Sequence, residues 1–264
     1  MTNRVTKVTD RFFPDEPLQC YLSSAPVTEG KDGTAMKEAK GLMTGSALLA
    51  AFALWTVLIR CVDVRAIGPR ETSVGFAALN GWFHRLTGVH WWLYTMTDWL
   101  GLVPILVCCC YGMTGFVQWI RRKNLFRVDA DVLLLGIYYL LVIFGYLFFE
   151  TVPINHRPVL INGCLEASYP SSTTLLVLSV MPTFIFQTDR RCRNSKIRKP
   201  AAASAILFCL FMVIGRLISG VHWITDIIGS VLLSGGLYLL YYAAVARADR
   251  KKNEIIRREK EHGV

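Results

Sequence analysis

Apolar residues gather into six runs along the chain, at 43–64, 100–120, 131–149, 172–187, 201–218 and 223–245. Each is near the roughly 20 residues that a helix needs to cross the hydrocarbon of a bilayer. Polar segments separate the runs, so the pattern predicts an all-α, polytopic membrane protein folded as a six-transmembrane-helix bundle. The fourth run is short and carries Pro182, which predicts a kink, because neighbouring helices can cover the backbone group that the proline frees. Residues 1–42 mix acids, bases, Pro14, Pro17 and several glycines without the short apolar core of a cleavable signal, and are expected to form a loosely ordered tail. The expected organisation is therefore a tail (1–42), a six-helix membrane domain (43–246) and a second, basic tail (247–264).

Composition agrees with this pattern. Of 264 residues, 53% are hydrophobic and 18% charged, a balance that excludes an ordinary soluble domain. The net charge of +10 changes the picture only through its distribution. Arg121, Arg122, Lys123 and Arg127 follow the second run; Arg190, Arg191, Arg193, Lys196, Arg198 and Lys199 follow the fourth; Arg247, Arg250, Lys251, Lys252, Arg257, Arg258 and Lys260 follow the sixth. Alternate turns share one side, and the positive-inside rule makes that side cytoplasmic. Both termini are then cytoplasmic, and the loops near 65–99, 150–171 and 218–222 face outward from a multi-pass protein of the cell membrane. Basic loops of this kind serve topology and anionic lipid heads, so no nucleic-acid partner is expected. Trp82, Trp91, Trp92, Tyr94 and Trp99 suit an interfacial belt, and residues 74–88 could also lie in the interface as an amphipathic helix. Eight cysteines form no CxxC pair and read as small lipid-facing or core residues, with a Cys61–Cys164 disulfide as the alternative.

Three outward segments concentrate polar chemistry: ETVPINHRPVL (150–160), SYPSSTT (168–174) and GRLISGVHWITD (215–226). Ionisable residues at the edge of a span mark a functional site by default. His222 and Asp226 are four apart, so on a helix Asp226 could accept a hydrogen bond from one imidazole nitrogen and leave the other as nucleophile; the same spacing also arises where two residues merely satisfy each other. Arg216 and Arg157 supply permanent positive charge that calls for an oxyanion. Pro170 marks a helix start at which Ser171, Ser172 and Thr173 would present N–H groups and hydroxyls to phosphate, although serines and threonines there also serve as caps. His156 and His90 are further outer histidines, read as loop residues.

In this order the residues resemble the type 2 phosphatidic acid phosphatase (lipid phosphate phosphatase) superfamily, whose signature is Kx6RP, PSGH and SRx5Hx3D. Arg216, His222 and Asp226 match the third block with Gly215 in its serine position. Arg157 and Pro158 match the RP, and Pro170 and Ser171 match the PS. The resemblance implies that His222 attacks phosphorus to form a phosphohistidine, that Asp226 orients it, and that Arg157 and Arg216 neutralise the transferring phosphoryl group. No metal or cofactor is implied. Two positions depart from the signature: Glu150 replaces the lysine and Thr173 replaces the proton-donating histidine. Loss of that acid penalises basic leaving groups most, which predicts a bias toward lipid diphosphates such as polyprenyl diphosphate over monoesters. A non-catalytic lipid-phosphate-binding protein of the same fold and a lipid phosphotransferase are the alternatives. Oligomeric state is not legible.

Overall fold

A computed structural model describes residues 31–261. The described chain is helical: α1 (Lys31–Cys61), α2 (Ala77–Thr87), α3 (Trp91–Leu100), α4 (Leu102–Arg122), α5 (Ala130–Thr151), α6 (Ser172–Arg191), α7 (Ser195–Ile218) and α8 (Ile224–Glu261). A two-stranded antiparallel ribbon, β1 (Arg65–Ala66) with β2 (Ser73–Val74), links α1 to α2.

Five helical stretches are long and apolar enough to cross a membrane: Ala35–Cys61, Trp91–Arg122, Ala130–Thr151, Ser195–Ile218 and Ile224–Glu259. The second is longer than the sequence pattern predicts, because Gly101 keeps helical backbone angles and α3 runs into α4 with only that residue between. Large apolar side chains such as Leu106, Met113, Leu140, Phe144, Leu147 and Leu207 point outward, an arrangement suited to lipid and unsuited to water. The expected fourth span, α6, falls short of the others in apolarity. It packs against α4, α5, α7 and α8 and buries Thr173, Thr174, Ser179, Thr183 and Gln187. It runs through Pro182 as one helix.

Helix also extends into both expected tails. Residues 31–42 belong to α1 and residues 247–261 to α8, while 1–30 and 262–264 lie outside the described residues. Charge pairing explains the extension, since Glu38 of α1 meets Arg250 of α8 at 3.0 Å. Along the same crossing Gly41, Gly45 and Gly236 let the two backbones approach: a Cβ at Gly45 would stand 3.1 Å from the Gly236 carbonyl. In lipid, where apolar burial gives helices little reason to associate, such small-residue contact is what holds them together. Cys61 and Cys164 are free thiols, so the disulfide option is not realised.

The aromatic core sits beneath the N-terminal end of α6. Tyr169 stacks on Phe52 with centroids 6.0 Å apart, meets Phe149 edge-on, and shares a 2.8 Å hydrogen bond with Thr56. Gly229 of α8 lies against this ring, where an added Cβ would fall 2.4 Å from Tyr169 Cε2. Gly229→Ala is therefore expected to destabilise the protein by about 1–3 kcal/mol through overpacking. The check is a lower thermal midpoint in detergent.

Basic and catalytic-looking residues occupy opposite ends of the bundle. Arg190 pairs with Asp249 at 2.7 Å, and Arg191 with Asp131 at 2.8 Å, tying the end of α6 to the start of α5 and to the far part of α8. The other ends of α5, α6, α7 and α8 hold Arg157, Ser171, Arg216, His222 and Asp226.

Candidate active site

Residues 155–168 form a hairpin between α5 and α6. Asn162 (φ 50°) and Gly163 (φ 77°) make its turn, the Asn-Gly pairing that a two-residue hairpin favours. Ile161 and Cys164 exchange both backbone hydrogen bonds across it. Pro158 has no N–H to continue that ladder, and the pairing resumes two residues out of register, with His156 opposite Ala167. The Arg157 N–H donates to the Glu166 carbonyl and the Ser168 N–H to the Asn155 carbonyl. Adjacent strand residues face opposite ways. Arg157 faces the bundle, so the His156 side chain lies on the other side, and its carbonyl accepts the Trp223 indole N–H at 2.7 Å.

The bend between α7 and α8 presents His222. Gly220, at φ 71°, turns the chain so tightly that a Cβ there would lie 1.9 Å from the Gly88 carbonyl oxygen. His222 is only 3% exposed, and its Nε2 stands 3.1 Å from Arg157 Nη1 and 3.5 Å from Arg216 Nη2. Guanidinium groups only donate, so Nε2 carries the lone pair and Nδ1 the proton. Nδ1–H points to the Ser168 carbonyl at 3.2 Å, with Asp226 Oδ2 farther away at 3.6 Å.

This corrects the expected His222–Asp226 hydrogen bond. His222 precedes α8 rather than riding on it, so helical stacking does not apply, and the Asp226 Oδ2 instead accepts the Trp223 N–H at 2.9 Å as a cap of the bend. Asp226 remains close enough to stabilise charge on the ring. The side chains of Asn155 and Ser168 interact with its carboxylate from the hairpin. Burial, and then the charges of Arg157 and Arg216, hold the His222 imidazole well below the usual histidine range, so it is neutral and nucleophilic at neutral pH.

Both arginines are held from the side away from His222. Arg157 Nε pairs with Glu166 at 3.0 Å. Arg216, 1% exposed, is gripped by one face of α3: its guanidinium lies 4.9 Å from the Tyr94 ring centroid, with Nη1 3.5 Å from Thr97 Oγ1 and 3.6 Å from Asp98. Gly215 gives α3 its approach, because a Cβ there would stand 2.8 Å from Thr97 Cγ2. The serine of the resembled signature would collide with that helix. The sequence reading did not single out Glu166, Thr97 or Asp98, and it assigned Tyr94 to an interfacial belt. The Asn-Gly turn was a signal for the hairpin, and the i, i+3, i+4 spacing was a signal for the face.

The α6 entrance differs in detail from the expected cradle. Ser171 is the N-cap residue, but its hydroxyl makes no capping bond and its N–H points to the Asp226 carbonyl at 3.4 Å. The first intrahelical bond runs from Leu175 N–H to Ser171, so the N–H groups of Ser172, Thr173 and Thr174 have no acceptor within the helix. Ser172 lines a small pocket with His222, Tyr146 and Glu150. Thr173 does not line it; the residue is buried, with its methyl close to Gly101. Glu150 is exposed at the mouth. His90 is exposed too, with its Nε2 2.9 Å from the Thr87 carbonyl.

Buried polar atoms without a protein hydrogen-bond partner include Ser171 Oγ, Thr174 Oγ1 and Arg216 Nε. Native proteins leave few such atoms, so those at the α6 entrance and on Arg216 suit a polar guest. Among the described residues, no group of three His, Cys, Asp or Glu side chains is arranged to hold a metal ion.

The PAP2 superfamily profile matches residues 148–250, the stretch that contains every one of these polar segments except α3. In these residues the chain is similar to the PAP2 superfamily. The PAP2 region is thus the second half of a longer membrane domain, with α1 packed along it and α3 reaching into its site. The crystal structure of a transmembrane PAP2-type phosphatidylglycerolphosphate phosphatase from Bacillus subtilis superposes with a TM-score of 0.53 at 18% identity, covering 79% of this chain and 96% of that one. The likeness extends the membrane fold beyond the PAP2 segment itself. No curated protein matches the chain.

Proposed function

We propose that this protein is a lipid phosphate phosphatase that works on the outer face of the cell membrane through a phosphohistidine on His222 Nε2. One observation carries the reading: the unprotonated Nε2 faces two guanidinium groups at 3.1 and 3.5 Å. A phosphoryl group approaching that nitrogen has its equatorial oxygens between Arg157 and Arg216, where negative charge develops in the transition state. Asp226 stabilises the ring once it is phosphorylated, and Ser172 with the first N–H groups of α6 binds a non-bridging oxygen. Ser171 shapes the turn that presents them.

Topology follows from counting α6 as the sixth crossing. Its 20 residues span about 30 Å, and its polar groups are covered by neighbours. Both termini then lie with the basic turns on the cytoplasmic side, and the site opens outward. The substrate is a membrane lipid carrying a terminal phosphate. With Thr173 off the pocket wall and chemically unsuited to donate a proton, leaving groups of low basicity are favoured at neutral pH, which biases the enzyme toward diphosphates such as polyprenyl diphosphate.

The test is phosphate release by the purified protein from matched lipid mono- and diphosphates, with acid-labile, base-stable phosphate trapped on the protein. Release from both with faster diphosphate turnover is the expected result. Binding without release would turn the assignment to a lipid-phosphate receptor of the same fold. Transfer to an added alcohol in place of water would make it a phosphotransferase.

A further inference from the structure

The position left without its histidine is not the only place from which a proton can reach the leaving oxygen. In an in-line displacement that oxygen lies on the far side of phosphorus from the attacking nitrogen. The pocket that His222 lines is the space open to that leaving group. Two residues one helical turn apart on α5, Tyr146 and Glu150, form that side of the pocket, which His222 and Ser172 share. Glu150 is exposed there and makes no ion pair among the described residues. Thr173, by contrast, is off the wall.

We infer that Glu150 is the general acid and base of the reaction, so that the residue replacing the signature lysine takes over the work of the missing histidine. This deepens the phosphohistidine reading and rests on it. In the first half, the Nε2 lone pair forms the P–N bond as the P–O bond breaks. The leaving oxygen keeps that electron pair and takes the Glu150 proton, releasing an alcohol. In the second half a water oxygen attacks phosphorus and gives a proton to the Glu150 carboxylate, and the P–N electron pair returns to Nε2. Inorganic phosphate leaves and the carboxyl group is restored.

The pH dependence has a definite sign. The carboxylic acid form is needed for the first half, so phosphoenzyme formation from an alkyl phosphate falls with rising pH. Burial and the two arginines disfavour the charged form of His222. Tyr146, Ser172 and His222 share the pocket with Glu150, and the charges of Glu150, Arg157 and Glu166 all act on Tyr146 beside it. The diphosphate bias then shrinks as pH falls.

Single-turnover trapping of the phosphoenzyme between pH 4.5 and 8 isolates the first half. Wild-type protein is compared with Glu150→Gln and Glu150→Asp on a phosphatidic acid and on a polyprenyl diphosphate. Glu150→Gln is expected to lose about 10²-fold with the monoester. It should lose at least tenfold less with the diphosphate and flatten the monoester pH profile, while Glu150→Asp keeps the slope. Equal losses on both substrates, a gain on either, or an unchanged pH slope in Glu150→Gln overturns the assignment. If His222→Ala keeps more than about a tenth of wild-type product formation, the phosphohistidine reading fails instead, and the two failures are separate.

Discussion

Replacing His222 with alanine is expected to lower phosphate release from every lipid phosphate by about 10³-fold or more, and to abolish the trapped phosphoenzyme. The expectation rests on position more than on residue type. Nε2 is the one unprotonated nitrogen that faces both Arg157 and Arg216, and no neighbouring side chain presents an equivalent lone pair there. The His156 side chain faces the other way across the hairpin, and His90 is exposed with its ring at the Thr87 carbonyl. Alanine also leaves two guanidinium groups facing each other without the acceptor between them, so phosphate itself should still bind. Retained binding with lost turnover distinguishes a missing nucleophile from a collapsed site. Residual activity above about a tenth of wild type would exclude His222 as the nucleophile.

Arg216→Lys is the second large effect, a fall of about 10²-fold in kcat with a smaller change in KM. The guanidinium spans the gap between α3 and His222: Nη1 reaches Thr97 and Asp98 while Nη2 reaches Nε2, and the plane lies over Tyr94. An ammonium keeps the charge but has one point of attachment, so it cannot hold the α3 contacts and the phosphoryl oxygens together. The loss should therefore appear mainly in the transition state. A change confined to KM would reassign Arg216 to ground-state binding.

The membrane spans were legible because hydrocarbon imposes a length and a composition that single residues cannot disguise. The triad of Arg216, His222 and Asp226 was legible because its members lie within eleven positions of one another. What remained hidden came from tertiary approach. Asp98 and Arg216 are joined only because Gly215 admits α3, and Glu166 meets Arg157 only after Pro158 shifts the hairpin register. The expected Asp226–imidazole bond failed for a local reason, since α8 starts after His222 and the carboxylate is spent on the Trp223 N–H. Helix continuation into residues 31–42 was missed because propensity alone does not reveal the Glu38–Arg250 pair that sustains it.

The polarity of α6 has a consequence for how the protein is made. A helix that carries serine, threonine and glutamine on its buried faces gains less from entering lipid alone than its five more apolar neighbours do. Its insertion should depend on α4, α5, α7 and α8 being present to receive those groups. The hydroxyl-lined entrance to the site would then come into existence only as the bundle closes, so a partly inserted chain carries no phosphate-binding chemistry to the membrane surface.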